Sequence, residues 1–360
     1  MPSRILLPVD SRTDGRPGNL RPPGGVRRRS RPRGSNGVGR RRVPENIERS
    51  YFQLMRRITA GTIARRCGSY HCDVHEPSEP TLDPRLTVQS LGSGSSGNAY
   101  IVKTATTVVL VDCGVGIRQI AAALTVHGID VSQVGAVVVS HEHSDHVRAL
   151  DSVRRRHLPV LTTSGSARAL KLGPGDYVRL TPSEGAAVGD VVIAAIAVSH
   201  DAAEPCGVTI KTPNGTVSIL TDMGCPNEAV IRAAGLADLL VIEANHDVDM
   251  LRLGPYPPHL KRRVSSDVGH LSNRQTGEIL TDALLDPSRG PETIWLAHLS
   301  ATNNRPATAL ETVHRIAGAR LKGRGIEVLP RLTAGPVWSP SATRATQLHL
   351  FDAGVPPGRG

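Results

Sequence analysis

A chain of 360 residues that is 39% hydrophobic and 21% charged has globular composition, which excludes a fibrous or wholly unfolded polypeptide. No apolar run approaches the ~18–20 residues that span a bilayer, and the N-terminus lacks the apolar stretch of a secretory signal, so a cytoplasmic protein is expected. The formal charge of +11 points to nucleic acid until it is located: residues 1–66 hold 17 Arg, no Lys and four acids, or +13, which leaves −2 on all that follows.

Residues 1–84 therefore read as a leader set apart from the folded domain. The segment is rich in Arg, Gly, Pro and Ser, with Arg27-Arg28-Arg29 and Arg40-Arg41-Arg42 as its densest runs. It buries too little apolar surface to offset its ordering entropy, which predicts disorder over most of its length. A basic nucleic-acid arm and a targeting leader fit it, but residues added by an upstream translation start or a functionless solvated tail are the favoured reading. Cys67 and Cys72, with His71 and His75 nearby, lack the second cysteine pair of a zinc motif. An odd cysteine count of five does not suggest a disulfide framework.

From Leu86 the texture changes to short β-branched runs that alternate with helical patterns. Strands are predicted at Leu86–Ser90, Ala99–Lys103, Thr107–Val111, Ala136–Ser140 and Val191–Val198, then at Val208–Lys211, Val217–Leu220, Leu239–Glu243 and Thr293–Leu296. Pro213-Asn214-Gly215 reads as a hairpin turn in which Asn-Gly accepts positive φ. Helices are predicted at Arg118–His127, Val147–Arg156, Glu228–Ala234, Arg274–Leu284 and Pro306–Ile316. Hairpins first, then strands mixed with helices, predict an α/β (α+β) domain over residues 85–335, with sheets packed on each other and helices outside. A Pro- and Gly-rich tail is expected over residues 336–360.

The chemistry concentrates in Ser140-His141-Glu142-His143-Ser144-Asp145-His146, directly after the buried-strand pattern Val137-Val138-Val139. Burying four such polar side chains without partners costs several kcal/mol, so metal ligation is the economical reading. Imidazole and carboxylate without thiolate suit Zn, Mn, Fe or Co. One loop cannot close two coordination spheres, and three other predicted strands end in His200, Asp222 and His298. Taken together these supply two further imidazoles and a carboxylate able to bridge two cations.

The His-x-His-x-Asp-His loop, a strand ending in Asp112, and then His200, Asp222 and His298 in order resemble the motif series of the metallo-β-lactamase superfamily. Four further strings narrow the resemblance: Ser93-Gly94-Ser95-Ser96-Gly97-Asn98, His200-Asp201-Ala202-Ala203-Glu204-Pro205, Glu243-Ala244-Asn245-His246-Asp247 and Gly269-His270-Leu271-Ser272-Asn273. They are similar to the YycJ/WalJ-type branch, relatives of RNase Z that act as metal-dependent 5′-to-3′ exonucleases on DNA. The resemblance implies an αββα sandwich and a phosphodiesterase that uses two divalent cations, Zn or Mn, with nucleic acid as its substrate.

By that resemblance His141, His143 and His200 hold the first metal, Asp145, His146 and His298 the second, and Asp222 bridges them. Asp112 braces the metal loop through hydrogen bonds. Asp145 orients the nucleophile or relays its proton, and His270 contacts phosphate or protonates the leaving oxygen. Ser95, Ser96, Gly97 and Asn98 are candidates for presenting backbone N–H groups to a phosphate. Only 22 residues separate His200 from Asp222, which leaves no room for the long arm of tRNA-processing relatives. The 76 residues from Asp222 to His298 are too few for an inserted β-CASP domain. Glyoxalase II-like thioesterases and lactonases share the metal loop and form the rival class. A catalytically dead nucleic-acid-binding fold is a further alternative, opposed by the intact ligand set.

Overall fold

The computed structural model describes residues 86–341 apart from 183 and 287. The leader reading for residues 1–84 and the end of the proposed tail lie outside the described residues.

The first half of the fold runs β1 (Thr87–Gly92), β2 (Ala99–Lys103), β3 (Val108–Val111), α1 (Ile117–Val126), β4 (Ala136–Val138), α2 (Ser144–Val147), α3 (Leu150–Arg154), β5 (Val160–Thr162), α4 (Ser164–Ala169) and β6 (Val178–Arg179). These strands build one sheet in the order β1-β2-β3-β4-β5-β6, with β14 (Val337–Trp338) antiparallel on the outer side of β1. The second half opens with β7 (Ala186–Val188), β8 (Val191–Ala197), β9 (Cys206–Thr212), β10 (Gly215–Leu220), α5 (Glu228–Leu236) and β11 (Leu239–Glu243). It continues with α6 (Val248–Leu253), α7 (Pro258–Val264), α8 (Asn273–Ala283), β12 (Thr293–Ala297), α9 (Pro306–Ala317) and β13 (Gly325–Val328). The second sheet has the order β13-β12-β11-β10-β9-β8-β7.

Each sheet is mixed for the same reason. Hairpins join β1, β2 and β3, and likewise β7, β8, β9 and β10, so those pairs are antiparallel. Helical crossovers join β3 to β4 and β10 to β11, and those pairs are parallel. Strands covered on both faces read as unbroken apolar runs, as β3 (Val-Val-Leu-Val) and β11 (Leu-Leu-Val-Ile) do.

Three apolar layers hold the sandwich. Between the sheets, Val88, Tyr100, Val109 and Val138 meet Ile193, Val208, Val241 and Trp295. Outside the first sheet, Ile101, Leu110 and Val137 pack against Ile120 and Leu124 of α1 and Val153 of α3. Outside the second, Leu240, Ile242 and Leu296 pack against Val230 of α5, Leu280 of α8 and Val313 of α9. The expected αββα architecture is the observed one.

Several local expectations change. The helical pattern Val147–Arg156 divides into α2 and α3, because Ala149 leaves helical geometry at φ −95 and ψ 4. The turn between β9 and β10 consists of Pro213 and Asn214, and the positive φ falls on Gly215 at 151°, which already pairs with Thr212. Trp338, placed by its sequence neighbours in a fraying tail, is only 6% exposed and packs into the inter-sheet core. The ordered fold therefore continues beyond Gly335. The short strands β5, β6, β7 and β13 and the helices α4, α6 and α7 carry too few periodic residues to be read from pattern alone.

Candidate metal centre

The site is built from strand ends. β3 runs into Asp112, β4 into the loop from Ser140 to His146, and β8 into His200; β10 runs into Asp222, β11 terminates in Glu243, and β12 runs into His298. This is where an open α/β sheet leaves its carboxyl-end crevice. Three of these residues, Asp112, Asp222 and His298, have positive φ of 59°, 59° and 55°. Left-handed backbone costs an L-residue roughly 1–2 kcal/mol, so three such bends on one side of the sandwich mark a site held by its surroundings.

The predicted ligands converge. His141, His143 and His200 each offer an atom within 4.8 Å of the others, and Asp145, His146 and His298 form a second such group. Asp222 sits between them, with Oδ2 3.2 Å from His146 Nε2 and Oδ1 3.8 Å from His200 Nε2 and 3.6 Å from His298 Nε2. Buried polar atoms normally find partners. Here His141 Nε2, Asp222 Oδ2 and His298 Nε2 are buried with no hydrogen bond. Orphaned imidazole and carboxylate atoms that face one another are the donor set of a divalent cation site, and the residues present fit one.

Hydrogen bonds on the far side of each ring aim the ligands. Asp112 accepts from Ser140 N (2.8 Å), from Ser140 Oγ (3.0 Å) and from His146 Nδ1 (2.8 Å). His200 Nδ1 donates to Gly269 O at 2.9 Å. Glu243, fully buried, accepts from His298 Nδ1 at 2.9 Å and His270 Nδ1 at 2.8 Å through the same Oε1, while its Oε2 accepts from Met223 N at 2.8 Å. Because carboxylates and carbonyls only accept, Nδ1 of each of these rings carries the proton, and Nε2 of His146, His200 and His298 is left to face Asp222.

Electrostatics follow burial and these partners. Burial, reinforced by His146, pushes His141 down to about 2, so its ring is neutral and ready to ligate. Burial works against charge on His298, yet Asp222, Asp145 and Glu243 raise it to about 10 in the metal-free protein. His146 is raised in the same way by Asp112 and Asp222 against its burial. Burial opposes ionisation of Glu243, but His270 and His298 bring it down to about 2.

One expectation needs amendment. In the Ser93–Asn98 loop the Gly97 N–H donates to Gly94 O and the Asn98 N–H to Asp145 O, at 2.9 and 2.7 Å. The Asn98 amide is buried between Gly94 and His146 Nε2. The Gly97 N–H thus closes its own loop, Asn98 ties that loop to Asp145 and His146, and of the four candidates only Ser95 and Ser96 are exposed. Glu142, inside the ligand loop, faces away and accepts from Ser166 Oγ and Ala203 N. The residue that sequence reasoning missed is Glu243. Its signal was present: an apolar strand that ends in a carboxylate, like those before Asp112 and Asp222.

Two seven-stranded sheets sandwiched between helices, with His and Asp gathered at strand ends, define a metal-site protein of αββα architecture. Residues 107–298 match the beta-lactamase superfamily domain, and the chain belongs to that family. It is 34% identical over 232 residues to exodeoxyribonuclease YycJ of Bacillus anthracis, which covers 63% of this chain and 87% of that one. It is 32% identical over 246 residues to exodeoxyribonuclease WalJ of Streptococcus pneumoniae, covering 66% and 90%. The fold is also that of the metallo-β-lactamase fold protein YhfI from Bacillus subtilis, with a TM-score of 0.56 at 17% identity over 71% of this chain and 99% of that one. Among the described residues, no helix is long and apolar enough to cross a membrane.

Proposed function

We propose that the protein is a cytoplasmic metal-dependent 5′-to-3′ exonuclease that hydrolyses phosphodiester bonds, with DNA as the favoured substrate. The observation that carries this reading is the joint presence of both ligand groups and His270 in a chain that aligns with most of the length of two exodeoxyribonucleases.

His141, His143 and His200 would hold one cation, Asp145, His146 and His298 a second, and Asp222 would face both. When bound, Zn or Mn ions lower the pKa of water, polarise a phosphoryl oxygen and clamp the attacking and leaving oxygens. The chain's own groups supply the rest. Asp145, whose carboxyl is held low against its burial by His298 and His146, accepts a hydrogen bond from the attacking water. Asp112, Gly269 and Glu243 keep the rings of His146, His200 and His298 from turning. His270 is 15% exposed at its side chain, with Nδ1 fixed on Glu243, which leaves Nε2 to donate a proton to the departing sugar oxygen.

The test is incubation of purified protein with 5′-labelled single- and double-stranded DNA and RNA in Mn or Zn. A lactone and a thioester serve as controls. Stepwise release of nucleotides from DNA, with metal analysis approaching two equivalents, is the expected result. Turnover of the lactone or thioester without nucleic-acid cleavage would move the protein to the rival class, and a stoichiometry fixed at or below one after reconstitution would end the dinuclear assignment.

A further inference from the structure

We infer that the α6–α7 segment, residues 247–268, is the docking element for a single DNA strand, with Tyr256 as a base-stacking platform and Arg262 and Lys261 as backbone-phosphate contacts. This rests on the nuclease reading and names where its substrate lies.

Aromatic residues are scarce in this chain, and where they sit is informative. The described residues include five: Tyr100, Tyr177, Tyr256, Trp295 and Trp338. Tyr100, Trp295 and Trp338 are core members and Tyr177 packs against the core, while Tyr256 belongs to none of the three apolar layers. It is half-buried between Pro255 and Pro257, two rings that stiffen its backbone, and Leu253 beside it is 73% exposed. Tyr256 thus stands apart from the core aromatics with part of its ring open to solvent, and every nucleobase offers a face to stack on such a ring.

Five residues after Tyr256 begins the run Lys261-Arg262-Arg263 in the last turn of α7. Cations in a last helical turn complement the helix dipole, which accounts for some of this charge. It does not account for its position. Arg263 pairs with Asp201 at 2.6 Å, and Asp201 Oδ1 lies 3.4 Å from His200 Nε2. The Val264 carbonyl accepts from His270 N at 2.9 Å. A Cβ on Gly269 would lie 2.2 Å from Arg263 O and 2.3 Å from Val264 O, so only glycine permits this seating. The basic turn is therefore packed directly against the strand-end loop that carries His200 and the α7–α8 turn that carries His270. Lys261 donates to Arg252 O at 2.7 Å and Arg252 pairs with Asp249, whereas Arg262 is exposed and makes no ion pair among the described residues. At ~1.5 Å per helical residue, α7 spans roughly 10 Å, about three stacked nucleotides of one strand. A strand whose terminal phosphodiester sits at the metal ligands can thus lay its backbone along Arg262 and Lys261 and a base on Tyr256.

The test uses the full-length, metal-loaded protein with single-stranded DNA and RNA oligonucleotides of 20 nucleotides and with a dinucleotide. Tyr256→Ala should weaken affinity for the 20-mer by roughly 5- to 150-fold, and Tyr256→Phe should restore it. Arg262→Gln should lower the slope of log affinity against log salt by about 0.7, the value for one phosphate contact on a single strand. Both losses should be largest on the 20-mer and smallest on the dinucleotide, with metal content and melting temperature of the wild type. Equal losses on both lengths, or none on either, overturn the inference. Binding of the RNA 20-mer with an unchanged Tyr256 dependence supports strand docking through shared chemistry. If the wild type degrades DNA and these variants do so equally, the docking assignment alone fails; if the wild type degrades no nucleic acid, the nuclease reading fails first.

Discussion

Glu243 ties two roles to one oxygen atom. Its Oε1 holds both the His298 ring, which faces Asp145 and Asp222, and the His270 ring, which sits at the open side of the site. Removing such an outer partner typically costs ~10–100-fold in metal affinity. Glu243→Gln should therefore weaken metal binding and slow turnover together. His270→Ala should instead retain its metals and lose on the order of 10²–10⁴ in rate on a phosphodiester, while His298→Ala should lose part of its metal. Elemental analysis beside turnover separates the three. If His270→Ala strips metal and His298→Ala does not, the two assignments are reversed.

At the level of elements, the ligand loop owes its position to a glycine rather than to a ligand. The loop after β4 is pressed against the turn after β3: Cys113 N donates to His146 O at 2.8 Å, and Asn98 N to Asp145 O at 2.7 Å. A Cβ on Gly114 would lie 1.5 Å from the Asp145 carbonyl oxygen. No rotamer relieves a clash with backbone, so Gly114→Ala must displace the loop. Overpacking of this kind costs on the order of 3 kcal/mol, which is about 6–12 °C in melting temperature for a domain of this size. Calorimetry should show that fall, accompanied by loss of metal from the Asp145 and His146 side. An unchanged melting temperature would mean that the loop is held elsewhere.

For the molecule as a whole, proton and metal compete for the same buried atoms. In the metal-free protein His298 is raised to about 10, so its charge stabilises the fold below the ordinary histidine range and that contribution is lost as pH rises through about 10. Ligation requires the same ring to give up its proton. Metal uptake at neutral pH should therefore release protons, and apparent affinity should climb with pH up to about 10 and fall as pH drops. Calorimetric titration in buffers of different ionisation enthalpy counts the protons, and zero release would contradict the charge assignment. Among the described residues, the groups of the site lie between Ser93 and His298. A chain beginning at Pro84 is expected to fold, load metal and cleave short oligonucleotides at moderate salt near the full-length rate, with some loss of DNA affinity at low salt. A folded, metal-loaded but inactive truncation would place the leader in the active machinery.

How much of this was legible in the sequence depends on the range of the forces involved. The αββα class follows from local patterns, because β-branched runs such as Val108–Val111 and amphipathic stretches such as Pro306–Ala317 select their own backbone. The seven candidates for metal binding stood out because imidazoles and carboxylates recur together at and after the ends of apolar strands, a set that points to ligation more than any one member does. What stayed hidden depended on long-range contacts. Trp338 is drawn into the core by pairing with a strand some 250 residues earlier. The Asn98 N–H is taken up by Asp145 O, and Glu243 acquires its two histidines only when β11 and β12 pair and the Gly269–Leu271 turn closes over them. The sequence by itself determined which chemistry the chain carries, because residue type limits what can bind a cation. Only the tertiary structure decided which atoms face that cation and which hold the others still, because orientation is set by hydrogen bonds between segments that no local pattern connects.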